Sequence, residues 1–424
     1  MSSKAAASGR DPQAPVPSQE VFGSTIKAHR KDPVIPNISY GLPFDKAIVN
    51  HVGPDAKVYV LASKTLSEKT NSLDRLKTAL GTRVKGTRVG MTPHTIFQEC
   101  LEVTGEAKTV GADTIVTLGA GSLSDAARFV RKALTNDIST IAQLEKHTVN
   151  VKDGKWTGPQ GHNPPTANLV FIPTSLSAGE HTPCSGVTDG DTKQKYQIVA
   201  AQASVTIYDP WLAQTTPESV WLQSGVRGID HAVESILSGH AFPEVYDACL
   251  KGLRLLVPGL LDSHGGRDSA EARLNCQLGA SLVILPIAWG VPAGASHGIG
   301  HMMGPMGVGH GETSCILLPA VCKYNARVTG EKQARIREVL WDITLCRQLF
   351  SSKGLREDQA DLGDLLDVVV RALGMPRTLK EKGITGEKVH ELARMSLKDT
   401  WLATNPVPLT TEEEVLKVLS MVRG

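Results

Sequence analysis

The feature that most constrains the fold is the alternation of short β-branched runs with helical patterns over residues 57–172. Candidate strands lie at residues 57–62, 83–91, 114–118 and 168–172, with candidate helices between them at residues 73–80, 95–110 and 122–134. Such alternation is typical of a parallel sheet with crossover helices. The polar residues 135–166 interrupt it, and we interpret them as a surface excursion long enough for a small hairpin.

The character of the sequence changes after a last candidate strand at residues 204–208. Thr216-Pro217 indicates a helix start, with threonine as the cap and proline in the first turn. Apolar residues then recur at helical spacing to the C-terminus, which predicts an all-helical second half. Because 424 residues exceed one ordinary core, we expect a flexible tail at residues 1–30, an α/β domain at 31–212 and a helical domain at 213–424.

The charge balance and the cysteines exclude several classes of protein. The 45 lysines and arginines nearly balance the 43 aspartates and glutamates, so the net charge of +2 favours neither a nucleic acid nor an anionic membrane as a partner. The seven cysteines contain no C-x-x-C pair and are odd in number, which favours a reducing compartment. No apolar run has the length of a membrane span, and the N-terminus lacks the apolar region of a secretory signal. We therefore predict a soluble, cytoplasmic protein.

A cluster of histidines marks the strongest candidate site. His297 and His301 stand four residues apart, so on a helix they share one face, and His310 follows after a glycine-rich turn. Imidazoles gather in one place mainly where they bind a metal, move a proton or pair with an anion. The segment therefore predicts chemistry rather than a purely structural role.

A second candidate site is the turn Gly119-Ala120-Gly121-Ser122, which leads from strand 114–118 into a helix that carries Asp125. Glycines let the backbone approach a ligand and free amides at a helix start favour a diphosphate, although the same residues also suit a plain strand-to-helix turn. The spacing is not the Rossmann G-x-G-x-x-G. Thr174, Ser175 and Ser177 add hydroxyls after the next strand, at the edge where α/β sheets bind ligands.

Four motifs together resemble the iron-containing alcohol dehydrogenase superfamily, and their details look most like its maleylacetate reductases. The motifs are, in order, residues 119–125, 173–180 and 225–234, and the histidine segment, which closes on Leu318-Pro319 and Tyr324-Asn325. The likeness runs from about residue 35 to the C-terminus. It implies a dehydroquinate synthase-like fold, with an α/β dinucleotide-binding domain followed by an all-α domain, in a homodimer.

By this resemblance the coenzyme is NADH or NADPH. Related enzymes often carry an aspartate that binds the adenosine ribose where this chain has Ser63-Lys64. An aspartate would repel a 2′-phosphate and serine with lysine would not, so we expect NADPH to be accepted. Ala120 departs from the family's usual triple glycine. The implied coenzyme-binding residues are Ser63, Gly119, Ala120, Gly121, Ser122, Asp125, Thr174, Ser175, Ser177 and Lys195.

The resemblance also sets an expectation about a metal ion. Metal-binding relatives use one aspartate and three histidines, and the matching histidines here are His231, His297 and His310. His301 matches a further active-site histidine that is not a ligand. The aspartate position is Arg227, whose guanidinium has no lone pair to give and opposes a cation. We therefore predict that no metal is bound.

An alternative ligand set needs a different register of the same helix. Asp230 precedes His231 by one residue, which turns its side chain about 100° around the helix, so the two do not chelate one ion in the usual way. A shifted register offers Asp230 with Glu234, and we then expect His231 to leave the site. Arg227 can also pair with Asp230, three residues on.

The predicted activity is the reduction of the C=C bond of a small unsaturated keto dicarboxylate to a 3-oxo dicarboxylate, as the resemblance implies. Arg227 is expected to bind a substrate carboxylate with two hydrogen bonds. His301 or His297 is expected to stabilise the enolate, and one histidine to protonate the carbon. His231 and His310 complete the predicted catalytic set. Two alternatives remain: a metal-dependent alcohol dehydrogenase of the same superfamily, and a non-redox lyase or cyclase that reuses the fold.

Overall fold

The computed structural model describes residues 16–24, 36–152, 155–157 and 163–424. The strands are β1 (Val21–Gly23), β2 (Ile38–Tyr40), β3 (Val58–Ala62), β4 (Val84–Val89), β5 (Thr114–Leu118), β6 (Asn150–Lys152), β7 (Lys155–Thr157), β8 (Asn168–Ile172), β9 (Cys184–Thr188), β10 (Lys195–Val199) and β11 (Val205–Ile207). The helices of the first half are α1 (Phe44–His51), α2 (Lys64–Lys69), α3 (Ser72–Leu80), α4 (Phe97–Thr109), α5 (Ser122–Asn136), α6 (Ile141–Glu145) and α7 (Pro210–Ala213).

The helices of the second half follow without an intervening strand in the described residues. They are α8 (Glu218–Leu237), α9 (Pro243–Asp262), α10 (Ala270–Val283), α11 (Leu285–Ala288), α12 (Ala295–Met303), α13 (His310–Asp342), α14 (Thr344–Ser352), α15 (Leu362–Ala372), α16 (Glu387–Ser396), α17 (Trp401–Thr404) and α18 (Glu412–Ser420). This confirms the predicted all-helical second half.

Seven strands form one sheet in the order β1-β2-β11-β8-β5-β3-β4. All neighbouring strands in it are parallel except β1, which is antiparallel to β2. The side chains of β3 alternate between two cores. Tyr59 and Leu61 pack towards α4 and α5, whereas Val58 and Val60 pack towards α1 and α3. The predicted α/β domain with a parallel sheet is therefore confirmed.

Two hairpins lie outside this sheet. β6 pairs with β7 in the polar excursion, as predicted, and β9 pairs with β10 in a hairpin that we did not predict from the sequence. β10 alternates exposed and buried residues from Lys195 onward. This alternation with a period of two is visible in the sequence of β10. The small residues of β9 show no such alternation of apolar and polar side chains, so the sequence did not indicate a partner strand.

The N-terminal segment differs from the prediction of a flexible tail over residues 1–30. Residues 16–24 are described, and Val21 to Gly23 pair with β2. Glu20 adds side-chain contacts, because it accepts a hydrogen bond from Asn50 at 2.7 Å and pairs with His51. Part of the expected tail therefore contains a strand, the rest of it lies outside the described residues, and its flexibility stays a prediction.

The start of α8 also corrects a sequence expectation. The helix begins at Glu218, and the Thr216 hydroxyl donates to the Thr174 carbonyl at 2.7 Å instead of capping it. Thr216 therefore ties the helical part to the sheet edge. All residues from Gly225 to Leu237 are buried, so α8 is the central helix of the second half. No helix among the described residues is long and apolar enough to cross a bilayer.

Candidate active site

The predicted coenzyme residues meet at the carboxyl edge of the parallel strands. The Ser63 amide donates to the Leu118 carbonyl at 2.8 Å, and the Gly119 amide donates to the Ile172 carbonyl at 3.0 Å. The ends of β3, β5 and β8 are therefore neighbours, which brings Ser63, the glycine turn and Thr174 to one edge. Ser63 also caps α2, since its hydroxyl accepts from the Leu66 amide at 3.5 Å.

The glycine turn has a backbone that other residues adopt poorly. Gly119 has φ +129°, and a Cβ there would lie 2.8 Å from both Leu123 Cδ1 and Ser63 Cβ. Gly121 has φ +68° and caps α5 without a side-chain hydrogen bond, and a Cβ on it would meet only open space. Ala120 and Ser122 complete the turn. Open space beside an uncapped helix start suits a diphosphate, so these residues fit a dinucleotide.

Asp125 and Lys195 lie together beside this turn. A Cβ on Gly186 would be 2.7 Å from Lys195 Cε and 3.7 Å from Asp125 Oδ2. Burial raises the pKa of Asp125, although Arg128 and Lys195 oppose the shift. Lys195 also contributes to the lowered pKa of His310, so its charge acts on the histidine cluster as well.

The serines of the next loop contact each other. The hydroxyls of Ser175 and Ser177 are 3.1 Å apart, and the Leu176 amide between them donates to the Ser224 hydroxyl at 3.1 Å. Ser224 belongs to α8, and the Thr174 carbonyl receives the Thr216 hydroxyl. The loop therefore joins the coenzyme edge to the helix that carries the catalytic candidates.

The buried face of α8 carries four of the polar groups of the site. Arg227, Asp230, His231 and Glu234 follow the spacing i, i+3, i+4, i+7, which places them on one stripe of the helix. All four are buried. The expectation that His231 leaves when Asp230 and Glu234 face the site is therefore wrong, because one stripe is wide enough for both pairs.

Asp230 lies close to Arg227, to the His297 ring and to two hydroxyls. Its Oδ2 accepts from Ser296 Oγ at 2.7 Å and from Ser314 Oγ at 2.5 Å, and lies 3.8 Å from Arg227 Nη1. The same Ser314 hydroxyl accepts from Arg227 Nη1 at 3.0 Å, so Ser314 bridges the ion pair. Burial alone would raise the pKa of Asp230, but His297, Arg227 and Ser314 hold it well below its usual value.

Glu234 holds the start of the histidine helix α12. Its carboxylate accepts from the amides of Gly294 at 2.9 Å, Ser296 at 2.8 Å and His297 at 3.3 Å, and from His297 Nδ1 at 2.7 Å. A buried carboxylate at a helix N-terminus satisfies amides that have no partner within the helix. Glu234 thus positions α12 and the His297 ring together.

The His297 ring lies at the centre of the charged group. Its Nδ1 is 3.4 Å from Asp230 Oδ2, and its ring centroid is 4.9 Å from that of His231. Burial and Arg227 lower the pKa of His297, but Asp230 and Glu234 outweigh them and raise it above its ordinary value. His231 has no hydrogen-bonded carboxylate among the residues that the structure describes, and burial, His297 and Arg227 lower its pKa well below the ordinary value.

His301 and His310 form the outer part of the cluster. Their rings stack with centroids 6.1 Å apart and an interplanar angle of 7°. His301 Nδ1 is 2.8 Å from Asp399 Oδ2, and the Trp401 ring lies 5.1 Å from the His301 ring. The charge of Arg227, followed by burial, lowers the pKa of His310 well below its ordinary value. The structure thus brings all five predicted catalytic residues together.

Asp399 and Trp401 were missed by the sequence reasoning. Asp399 is 98 residues from His301 in the chain, and no spacing rule links positions so far apart. Trp401 also lies 5.5 Å from the His297 ring. The C-terminal segment that contains both residues therefore forms one wall of the site.

The site contains two sets of side chains that bear on a metal ion. The positions of the family's ligand set include Arg227, which does not fit a cation. However, Asp230, Glu234 and His297 each offer a ligand atom, all within 4.8 Å of one another, and Asp230 Oδ1 has no hydrogen-bond partner in the described part of the chain. This second set can hold a metal ion. The absence of a metal therefore stays a prediction.

Two family models match this chain. One, described as Iron-containing alcohol dehydrogenase, matches residues 45–210, and the other, described as Fe-containing alcohol dehydrogenase family, C-terminal, matches residues 221–422. The chain belongs to this family. It is an oxidoreductase of the iron-containing alcohol dehydrogenase type, with the N-terminal α/β and C-terminal helical parts that the sequence predicted.

Several curated relatives in the family match over most of their length. The dehydrogenase FUM7 of Gibberella moniliformis is 33% identical over 91% of this chain and 96% of its own. The dehydrogenase ALT3 of Alternaria alternata is 34% identical over 87% of this chain and 98% of its own. A maleylacetate reductase of Burkholderia cepacia is 26% identical over 91% of this chain and 94% of its own. The two fungal dehydrogenases thus match at higher identity than this maleylacetate reductase.

Solved structures show the same family fold. A maleylacetate reductase from a Rhizobium species has a TM-score of 0.69 at 20% identity, over 89% of this chain and 92% of that chain. A sulfoacetaldehyde reductase from Bifidobacterium kashiwanohense, solved in complex with NAD+, has a TM-score of 0.72 at 20% identity, over 89% of this chain and 93% of that chain. At these identities the likeness establishes the fold alone.

Proposed function

We propose that this family member is an NAD(P)H-dependent reductase of the C=C bond in a small unsaturated keto dicarboxylate, and that it works without a metal ion. The placement of Arg227 carries the proposal. Its guanidinium is buried in the histidine cluster, and its Nε has no hydrogen-bond partner among the described residues. A planar group with a spare donor in a desolvated site binds a carboxylate with high selectivity.

The coenzyme-binding residues fit NADH or NADPH, which supplies the hydride when bound. The free amides at the start of α5 would hold the diphosphate, and the hydroxyls of Ser175 and Ser177 lie at the same sheet edge. Lys195 and Asp125 would lie beside the dinucleotide. Because the loop that contains Thr174 is hydrogen-bonded to α8 and to the residues just before it, this edge lies next to the helix that carries Arg227 and His231.

The protein's own groups would orient the substrate and favour the charge that forms on it. Arg227 would bind one carboxylate and leave the conjugated C=C bond facing the coenzyme. Hydride addition to the alkene carbon would place negative charge on the ketone oxygen, which the guanidinium of Arg227 would stabilise electrostatically, aided by the His297 ring with its raised pKa. A proton then completes the addition across the former double bond.

The first test concerns the metal ion. Purified protein is expected to keep full activity in excess chelator and to contain substoichiometric iron and zinc, because Arg227 and Asp230 form an ion pair where a cation would sit. NAD(P)H oxidation with an unsaturated keto dicarboxylate and elemental analysis measure the two quantities. Stoichiometric metal whose removal abolishes turnover would contradict the proposal.

Such a result would instead support a second candidate function, a metal-dependent alcohol dehydrogenase. The observation that favours it is the buried set Asp230, Glu234 and His297. Under that alternative, Asp230→Asn should reduce the bound metal, and simple alcohols should be better substrates than dicarboxylates. A non-redox lyase or cyclase would show no binding of NADH or NADPH.

A further prediction concerns the choice of coenzyme. NADPH is expected to bind at least as well as NADH, because Ser63 places a hydroxyl where an aspartate would repel a 2′-phosphate, and Ser63→Asp should shift the preference towards NADH. Fluorescence titration of both coenzymes measures this, with Ser67→Asp on the same short helix as a control for added charge. A wild type that binds NADH strongly and excludes NADPH would refute the prediction.

A homodimer and a cytoplasmic location complete the proposal. The dimer is supported only by the resemblance to the family, and the location by the free state of all seven cysteines. Sedimentation of the purified protein would test the first, and fractionation of cells the second.

A further inference from the structure

We propose that Asp399 is a positioning residue that sets the tautomer of His301 and thereby makes His301, rather than His297, the group that delivers the proton to the substrate. The inference rests on the proposed function for the identity of the reaction. It starts from the contact of His301 Nδ1 with Asp399 Oδ2 at 2.8 Å. A carboxylate accepts only, so Nδ1 carries a hydrogen and Nε2 is the nitrogen that exchanges a proton with a ligand.

The four histidines differ in the exposure of the side chain and in the partner of Nδ1. His297 also has a carboxylate on Nδ1, but its side chain is 1% exposed and lies between Asp230 and Glu234. His231 is buried, and its Nδ1 has no hydrogen-bond partner in the described part of the chain. His301 combines a carboxylate partner with a side chain that is 29% exposed. It is therefore the best placed of these three to give up a proton and regain one from solvent.

His310 is the remaining member of the cluster. Its ring is stacked on His301, and the ion pairs found among the described residues include none to His310. No carboxylate of the described residues therefore fixes the tautomer of His310. His310 is more exposed than His301, so the stacked pair lies within reach of solvent.

A second contact explains why Asp399 itself is well fixed. Its Oδ1 accepts from the Trp401 amide at 2.9 Å, so the two oxygens have separate partners. Leu402 anchors the same segment against α12, since a Cβ on Gly298 would lie 2.3 Å from Leu402 Cδ1. The C-terminal segment therefore holds the carboxylate in a fixed place beside the histidine helix.

The proton balance of the reaction is simple. The coenzyme, when bound, would supply a hydride to the alkene carbon, and the electron pair of the C=C bond would move into the enolate. The Nε2 proton of the imidazolium form of His301 then passes to the enolate, which leaves the neutral ring with its hydrogen on Nδ1. Solvent restores the Nε2 proton, so the sum is one NAD(P)H and one proton consumed per C=C bond reduced.

The test compares Asp399→Asn with a matched control. An asparagine can keep an oxygen towards the Trp401 amide while its NH₂ group faces His301, which moves the hydrogen of the neutral ring to Nε2. We expect kcat to fall about 10²- to 10⁴-fold while substrate KM and coenzyme Kd stay within about twofold. Glu412→Gln, which removes the carboxylate partner of the surface residue His390, should leave kcat unchanged.

A second readout does not depend on activity. Nitrogen NMR of protein labelled with ¹⁵N-histidine should show an Nδ1-protonated neutral ring that is lost in His301→Gln and becomes Nε2-protonated in Asp399→Asn. An Nε2-protonated His301 in the wild type would overturn the proposal, as would unchanged kcat in Asp399→Asn. If the NMR result holds but no unsaturated keto dicarboxylate is reduced, the proposed function fails and the tautomer assignment stands.

Discussion

Arg227→Ala is expected to lower kcat/KM for an unsaturated keto dicarboxylate roughly thirty- to a thousandfold, or about 2 to 4 kcal/mol. The physical reason is that a buried, charge-assisted contact to a carboxylate is lost from both the ground state and the transition state. Coenzyme affinity should hardly change, because the residues that we predict to bind the coenzyme lie at the sheet edge. Steady-state kinetics and coenzyme titration measure the two quantities.

Three comparisons make this prediction specific to the guanidinium. Arg227→Lys should recover only part of the loss, since a point charge does not reproduce a two-pronged contact. Ser314→Ala removes the hydroxyl that bridges Arg227 and Asp230 but keeps the cation, so its effect should be much smaller. For a neutral enone, kcat/KM should fall little in any of these variants. Intact dicarboxylate turnover in Arg227→Ala, or a wild type that prefers neutral compounds, would show that Arg227 does not bind a carboxylate.

Arg227→Asp extends the same comparison to the metal. It restores the carboxylate of the family's ligand set beside His231, His297 and His310, so the variant is expected to bind iron or zinc more tightly than the wild type. Like-charge repulsion should also reduce its activity on a dicarboxylate. Metal content after dialysis against each ion measures the first effect.

Glu234→Ala is expected to have the largest effect on stability, a loss of about 3 to 5 kcal/mol in the helical part. The change leaves the amides of Gly294, Ser296 and His297 without their acceptor and removes the carboxylate from His297 Nδ1. Because two structural parts need not unfold together, hydrogen exchange of residues 294–297 is a better measure than a single melting temperature.

The matched control is Glu414→Ala at the start of α18. Glu414 also accepts from two backbone amides, those of Thr410 and Thr411, but on the surface, where water can replace it. Glu414→Ala should therefore lower the free energy of unfolding clearly less than Glu234→Ala does. Equal exchange rates at residues 294–297 in wild type and Glu234→Ala would contradict the role assigned to Glu234.

Local features of the fold were readable from the sequence because they depend on nearby residues. The strand Thr114–Leu118 and the strand Asn168–Ile172 have the predicted bounds, since β-branched runs flanked by turns encode them directly. The glycine turn lies where the pattern placed it, because Gly119 needs a positive φ. The polar face of α8 also follows from the spacing of its residues alone. However, we expected that a face containing Asp230 and Glu234 would exclude His231.

What the sequence by itself determined is therefore the order of elements, the fold class and the identity of the central histidines, all of which follow from periodicity and short motifs. Only the tertiary structure decided which carboxylate each histidine meets. Glu234 contacts His297 of α12 although the two residues are 63 positions apart in the chain, and Asp399 contacts His301 although they are 98 apart. Thr216, which the sequence indicated as a helix cap, donates a hydrogen bond to the Thr174 carbonyl in the loop after β8 instead. The physical reason is that a side chain's hydrogen-bond partner depends on how distant segments pack, and that packing has no period along the chain.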